Sequence, residues 1–132
     1  MKERNDVVFI ICGPDEGIRR KVKELIGDEK RIILLNEIRD RKEIIKMYQA
    51  ADIYVLCSLT ETTSQTTLEA MSSGLPVIVT PVGRIKKYVI DKYNGFIFPP
   101  QNYLVLAKKL EILIKDREKR ELFGKRSRKI VE

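Results

Sequence analysis

Histidine and tryptophan are absent from this 132-residue sequence, which has only two cysteines and 7% aromatic residues. Histidine is the commonest general base and a frequent metal ligand, so nucleophilic triads and zinc sites of the usual kinds are disfavoured. Cys12 and Cys57 each end an apolar run, where a free cysteine typically behaves as a small buried hydrophobe. Two such cysteines make no secreted disulfide framework, and we expect a reduced, cytoplasmic protein.

Long hydrophobic runs are also missing: none approaches the ~20 residues of a transmembrane helix, and no signal peptide precedes Val7. Charged residues make up 34% and glutamine is scarce, a balance that indicates a heat-adapted (thermophile) protein. The formal net charge is +7, with a basic surplus between Lys108 and Glu132. These charges alternate in sign without interleaved aromatic residues, so we expect a solvated helix face and no nucleic acid partner. Peripheral contact with an anionic membrane surface at the cytoplasmic face and formation of a homodimer stay open.

Short, continuous apolar runs alternate with helical patterns along the whole chain. Continuous apolar strands are typical of parallel sheets that are covered on both faces. Repeated strand–helix order indicates an α/β fold with a doubly wound parallel sheet of about five strands and helices on both faces. At this length the residues 1–132 predict one domain. The predicted strands are 7–12, 32–35, 53–57, 77–79 and 95–98.

Local signals mark where several elements begin and end. Asp40 and Glu43 have the spacing of a capping box at a helix start, and Asp116 predicts the start of a last helix. The strongly charged continuation of that helix to Glu132 is expected to fray. Gly13 opens a Gly-Pro-Asp stretch that lacks both the spacing of a dinucleotide fingerprint and the lysine of a P-loop. We therefore favour a turn there over a phosphate loop.

The segment from Glu61 to Thr80 carries the most functional information. It places Glu61 at the carboxyl end of the predicted strand 53–57 and Glu69 inside the next helix, with a run of hydroxyl side chains between them. Ligands bind parallel α/β sheets in the crevice outside the carboxyl ends of the strands. The amides around residues 63–66 form a helix N-terminus, which suits a phosphate group. Two hydroxyl-accepting carboxylates beside a phosphate seat predict a pocket for a sugar nucleotide.

An ordinary explanation exists for each glutamate taken alone. Glu61 has the features of a surface loop carboxylate, and Glu69 those of a good helix former. Glu69, however, precedes Ala70 and Met71 in a helix that the pattern predicts to be buried. An unpaired buried charge costs several kcal/mol, so Glu69 needs a partner, and ligand hydroxyls would supply one.

Residues 58–80 resemble the signature of the family-4 retaining glycosyltransferases of the GT-B fold, in which two glutamates separated by seven intervening residues precede a Gly-x-Pro-Val turn. Glu61 and Glu69 match the two glutamates, although the Gly-Phe-Gly that often follows the first is replaced by hydroxyl residues at 62–64. Further resemblance covers 7–14, 51–58 and 94–100. The other matching residues of the signature are Leu68, Ala70, Met71, Gly74, Pro76 and Val77.

This resemblance implies a carboxyl-terminal, Rossmann-like donor-binding domain of a glycosyltransferase that transfers a sugar from a UDP-, GDP- or ADP-sugar to an acceptor. It implies that catalysis needs no metal and no cofactor, and that the nucleotide-sugar donor is the ligand. Glu61 would be the catalytic-site glutamate that contacts the donor sugar, while Glu69 would accept hydrogen bonds from the ribose. The remaining substrate-binding residues, at the distal phosphate and around the nucleotide, would be Thr62, Thr63, Ser64, Gln65, Gly13, Ile38 and Arg39.

The resemblance also implies that parts of such an enzyme lie outside this sequence. The family's first strand–helix unit, with an arginine and a lysine that neutralise the diphosphate, would precede Val7, and a final helix would follow Glu132. The amino-terminal acceptor domain is the missing partner. We therefore expect a domain truncated at both ends, inactive alone, in which strands 7–12 and 53–57 pair directly where the central strand is lacking.

Two alternatives to a transferase domain stay open. A GT-B nucleotide-sugar epimerase would want a histidine in the cleft, and this sequence has none. A non-catalytic module would hold only a nucleotide or a partner chain.

Overall fold

Two groups of parallel strands organise the chain in the computed structural model, which describes residues 4–132. Each group belongs to one of two units, Met1–Ile44 and Ile45–Glu132. Within residues 4–132, five strands and five α-helices alternate along the chain, except that a 3₁₀ turn separates the last two strands and that the last two helices follow each other. The predicted α/β fold with parallel strands is confirmed.

The first unit is built on strands β1 (Phe9–Cys12) and β2 (Ile32–Leu35), joined by helix α1 (Arg19–Ile26). The strands are parallel, with Phe9 opposite Ile32 and Cys12 opposite Leu35. In β1 only Phe9 is half-buried, and the three residues after it are exposed. The expectation that every strand is covered on both faces is therefore wrong for β1, and Cys12 is exposed, not buried.

Helix α2 (Arg41–Ala50) spans the boundary between the units, and the second unit continues with a three-stranded parallel sheet in the order β3-β4-β5. A 3₁₀ turn, Ile85–Lys87, separates β4 from β5. Cys57, which follows β3, is also exposed. The elements of this unit are β3 (Tyr54–Leu56), α3 (Gln65–Ser72), β4 (Val77–Val79), β5 (Gly95–Ile97), α4 (Tyr103–Lys115) and α5 (Arg117–Val131).

The core of the second unit surrounds β4, the central strand. All three β4 residues are fully buried, because each face of the strand carries an aliphatic side chain against packed helices and turns. Met71 from α3 and Ile85 from the 3₁₀ turn are likewise fully buried in this cluster. The unit that holds both candidate glutamates thus has a hydrophobic core of its own.

Side-chain caps fix where several helices begin, as the sequence predicts. The Asp40 carboxylate accepts the Lys42 N–H at 2.8 Å at the start of α2. The Asp116 carboxylate accepts the Lys119 N–H at 2.9 Å at the start of α5. Each cap satisfies an amide of the first turn that has no carbonyl partner within the helix.

Two expectations are wrong. Among the described residues β1 pairs with β2 and β3 pairs with β4, so the expected direct pairing of 7–12 with 53–57 does not form. Apolar character alone does not specify which strands pair, and three of the four β1 residues are exposed. The fraying of the last helix is also wrong, because α5 runs continuously to Val131 with Phe123, Gly124 and Ser127 buried. Within residues 4–132, no helix combines the length and apolar character needed to cross a membrane.

Candidate functional site

Glu61 lies in the loop after β3, at the carboxyl edge of the β3-β4-β5 sheet. Its side chain is half-buried, and the Ser58 hydroxyl donates a hydrogen bond to its Oε1 at 3.0 Å. The Ser58 carbonyl in turn accepts the hydroxyl of Thr80, a fully buried residue after β4, at 2.6 Å. Because two neighbouring parallel strands end at this edge, their terminal residues together orient the carboxylate.

A second contact holds the backbone of the same loop from the β4 side. The Arg84 N–H donates to the Thr62 carbonyl at 3.1 Å. Gly83 has φ +56, and a Cβ atom at this position would collide with the Glu61 carbonyl oxygen and lie 2.7 Å from that of Thr62. Only glycine lets the two backbones approach this closely, so the turn at 83–84 fixes the position of Glu61.

Ser64 caps the N-terminus of α3, and this explains the run of hydroxyl residues in the sequence. Its hydroxyl oxygen accepts the Thr67 N–H at 3.2 Å and lies 2.8 Å from the Thr67 hydroxyl. The Thr66 hydroxyl is 2.7 Å from the hydroxyl of Tyr54 on β3. The amides of Gln65 and Thr66 belong to the first turn, which provides them with no carbonyl partner inside the helix. The predicted helix N-terminus within 63–66 is therefore present.

Glu69 lies in the second turn of α3 and is half-buried. Its Oε2 accepts a hydrogen bond from the hydroxyl of Tyr48 on α2 at 3.3 Å, and the same hydroxyl is 3.3 Å from the Thr66 carbonyl. The partner that burial of Glu69 requires is therefore supplied in part by the protein itself.

The two glutamates share one arrangement. Within residues 4–132, each carboxylate has one oxygen held by a protein hydroxyl, from Ser58 or Tyr48, and a second oxygen with no protein donor. No cation of the described chain forms an ion pair with either glutamate. Each site can therefore accept a further hydrogen bond from a ligand hydroxyl.

Three of the other predicted residues belong to the unit Met1–Ile44. Gly13 directly follows β1, and Ile38 and Arg39 follow β2, so the parallel pairing of these strands brings all three to one sheet edge. Ile38 is half-buried, whereas Arg39 is exposed and pairs with Glu37 at 3.0 Å. A Cβ atom on Gly13 would have open space around it. Of the remaining loop residues, Thr62 and Gln65 are exposed and Thr63 is half-buried.

Tyr88 is a residue of this site that the sequence did not reveal. It follows the 3₁₀ turn, and its hydroxyl oxygen accepts the Ser64 N–H at 3.3 Å. Burial raises the pKa of the Tyr88 phenol, the Ser64 N–H opposes that rise, and the nearby charges of Glu61 and Tyr54 add to it. No local pattern marks such a residue, because the contact joins segments 24 positions apart.

A cavity and the spacing of the possible metal ligands are two further features of this part of the molecule. An open cavity of about 420 Å³ lies beyond the carboxyl ends of β4 and β5, but neither candidate glutamate lines it. Within the described part of the chain, no three His, Cys, Asp or Glu side chains gather closely enough to hold a metal ion. The cavity is lined by Pro81, Lys86, Asp91, Ile97, Phe98, Pro99 and Pro100.

Comparison with known proteins assigns the family. The model of the family "Glycosyl transferases group 1" matches residues 1–130. The sulfoquinovosyl transferase SQD2 of Arabidopsis thaliana is 38% identical over 93 residues, which are 68% of this chain and 18% of that protein. The chain spans between 18% and 37% of the length of the curated relatives considered.

Solved structures agree with this assignment. The C-terminal domain of the group 1 glycosyl transferase LpcC from Francisella tularensis has a TM-score of 0.87 and 29% identity, over 98% of this chain and 70% of that one. Anabaena HepE, solved in complex with UDP-glucose, has a TM-score of 0.85 and 26% identity, over 97% of this chain and 36% of that one. Because the family model matches almost the whole length of this chain, the chain belongs to the group 1 glycosyl transferases.

Proposed function

We propose that this chain is the donor-binding part of a retaining glycosyltransferase and that its ligand is a nucleotide sugar. The observation that carries the proposal is the shared arrangement of Glu61 and Glu69. Within residues 4–132, each presents one carboxylate oxygen without a protein donor, Glu61 from the loop after β3 and Glu69 from helix α3. Sugar and ribose hydroxyls are the donors that such oxygens would accept, with a charge-assisted bond to each.

The diphosphate of the donor would lie at the N-terminus of α3. First-turn amides and the positive end of the helix dipole stabilise an anion there and would also stabilise the departing diphosphate. The loop residues Thr62, Thr63, Ser64 and Gln65 would form this phosphate site, and the solved complex of Anabaena HepE with UDP-glucose supports a ligand of this class. Amides can perform this role without a metal or another cofactor.

In the unit Met1–Ile44, we propose Gly13, Ile38 and Arg39 as residues that contact the nucleotide. Their common position at the carboxyl edge of the β1-β2 sheet supports the assignment.

The two free cysteines fit a reducing compartment, so we propose that the enzyme is cytoplasmic.

The test is isothermal titration of the 132-residue chain with UDP, GDP, ADP and their sugars. Glu69→Ala should weaken the binding of the bare nucleoside diphosphate, because its ribose contact is lost. Glu61→Ala should weaken the nucleotide sugar more than the bare diphosphate. Losing a charge-assisted hydrogen bond costs about 1.5–3 kcal/mol, which corresponds to roughly a ten- to hundred-fold change in affinity.

Glu121→Ala is the matched control. It removes a carboxylate from the same unit, but Glu121 borders a cavity at the other end of α3, beside Gly74 and Leu75. This variant should bind as the unchanged chain does. If Glu61→Ala and Glu69→Ala also keep full affinity, the assignment of both glutamates is wrong.

A further inference from the structure

Tyr88 connects the 3₁₀ turn to the loop that carries the candidate site. Its phenol oxygen accepts the N–H of Ser64, the residue whose own hydroxyl caps α3. The Ser64 N–H precedes the helical hydrogen bonds and has no acceptor in α3. Tyr88 thus satisfies an amide that the helix itself leaves open.

The backbone of Tyr88 is anchored to the interior of the second unit. Its N–H donates to the Ile85 carbonyl at 3.1 Å, and its carbonyl accepts the Asn94 side-chain amide at 3.1 Å. Asn94 is fully buried and also contacts Ser127, a buried residue of α5. Because the phenol is attached to a fixed backbone, it can restrain the loop instead of following its motion.

The loop is therefore held at both ends by the segment 83–88. Gly83 and Arg84 hold the backbone of residues 61–62, and Tyr88 holds that of Ser64. The Thr63 amide lies between these contacts and the Gln65 amide directly follows them, and the proposed function gives both residues to the phosphate site. A loop held in this way needs less ordering when a ligand binds, and less ordering means higher affinity.

We propose that Tyr88 is a positioning residue of the nucleotide-sugar site, which through the Ser64 N–H fixes the β3–α3 loop in its ligand-binding conformation. The inference rests on the proposed function of that loop. The neutral phenol suits the role, since a charged partner near Glu61 would either pair with the carboxylate or repel the diphosphate. A tyrosine is neutral at neutral pH, and burial and the charge of Glu61 raise the pKa of Tyr88 further from that range.

The alternative to positioning is competition between the Tyr88 phenol and the ligand, and it makes the opposite prediction for the affinity. If the phenol oxygen occupied the position of a phosphate oxygen, the ligand would have to displace it. Removing the hydroxyl would then strengthen nucleotide binding. The sign of the change in affinity therefore separates positioning from competition.

The experiment compares Tyr88→Phe with the unchanged 132-residue chain. UDP affinity is measured by titration calorimetry, and the exchange rate of the Ser64 amide is measured by NMR without ligand. Loss of one neutral hydrogen bond should weaken UDP binding by about two- to ten-fold and speed Ser64 exchange by a similar factor. The Leu75 amide, which donates to the Ala70 carbonyl at 3.1 Å, should exchange as before.

Two variants control for other effects. Tyr103→Phe removes a hydroxyl from an exposed tyrosine at the start of α4 and should change neither measurement. Tyr88→Val removes the ring as well as the hydroxyl. If Tyr88→Phe equals the unchanged chain and only Tyr88→Val binds UDP more weakly, ring packing explains the effect and the proposal is wrong.

Tighter UDP binding by Tyr88→Phe, or unchanged Ser64 exchange, would also overturn it. Failure of the unchanged chain to bind UDP would count against the proposed function. The Ser64 exchange comparison would still decide whether Tyr88 holds the loop.

Discussion

Neutral hydroxyls, not cations, orient the two candidate glutamates. Ser58 and Tyr48 each donate one hydrogen bond to a carboxylate, and no cation within residues 4–132 forms an ion pair with it. An arginine or lysine in their place would form an ion pair and compete with a ligand for the same lone pairs. The arrangement therefore keeps Glu61 and Glu69 strong hydrogen-bond acceptors.

The ionisation of Tyr88 gives a prediction that needs no ligand. Burial, with the charges of Glu61 and Tyr54, raises its pKa above the usual value of about 10 despite the Ser64 N–H. A phenol whose pKa is raised in the folded state stabilises the fold below its unfolded pKa. That contribution is lost as the pH rises through the folded pKa.

The measurement is a comparison of phenolate absorbance in the unchanged chain and in Tyr88→Phe as the pH rises. The titration step missing from the variant should lie above the usual tyrosine range. A missing step at or below pH ~10 would show that Tyr88 is not shielded as the structure indicates.

How much of the site the sequence predicts depends on the kind of contact. Glu61, Glu69 and a helix N-terminus within 63–66 were predicted from local patterns, because strand ends and helix starts leave a signature in neighbouring residues, whereas Ser64 was named through the family resemblance. Tyr48 and Tyr88 were not predicted as parts of the site, since their hydroxyls reach it from elements 21 and 24 positions away. Such contacts depend on packing, which no local pattern encodes.

At the scale of elements, the turn after β4 controls the loop after β3. Gly83→Ala should destabilise the second unit strongly, because a left-handed φ costs about 1–2 kcal/mol for a residue with a side chain. The collision with the Glu61 backbone should add roughly 1–3 kcal/mol, as overpacking does. Urea unfolding measures the sum of the two contributions as a change in the free energy of unfolding.

Gly74→Ala separates the two contributions. Gly74 belongs to the same unit and also has a positive φ, +79, but a Cβ atom there would meet nothing within 4 Å. In this variant the free energy of unfolding should fall only by the cost of the left-handed backbone conformation. Equal destabilisation by the two substitutions would mean that the close approach of Gly83 to Glu61 is not restrictive.

The positions of the helices and strands were predictable from the sequence. The order of the last helix and the pairing of the strands were not. Strands β2 and β4 begin and end where the apolar runs predict. The charge of α5 suggested a frayed end, but a single narrow face that carries Phe123 and Ser127 is buried and keeps the helix ordered. The expected pairing of strands 7–12 and 53–57 was wrong because strand pairing joins segments that are distant in the sequence, and no local pattern specifies it.

At the scale of the whole molecule, the chain lacks most of the length of the curated relatives it matches. We predict that it does not transfer sugar by itself, even if it binds the donor. Proximity and orientation of two substrates can be worth about 7–11 kcal/mol, and an acceptor site is needed to obtain them. The assay follows UDP release from UDP-glucose with candidate acceptors present.

Donor binding, measured on the same sample, is the control for this assay. It shows that a lack of turnover does not reflect misfolding. Sustained transfer of sugar to an acceptor by the chain alone would contradict the interpretation as a donor-binding part.

Asn94 and Gly95 form the dipeptide in which a side-chain amide is most easily attacked by the next backbone nitrogen, with loss of ammonia through a cyclic imide. Here Asn94 is fully buried, its side-chain oxygen accepts the Ile90 N–H at 2.7 Å, and Gly95 is held in β5 opposite Val77. The attack needs a rotation that these contacts prevent, and its product would bury a carboxylate at a cost of several kcal/mol. The folded chain is therefore protected from a chemical ageing reaction to which its unfolded form is open, so its lifetime in warm solution depends on how often this end of β5 opens.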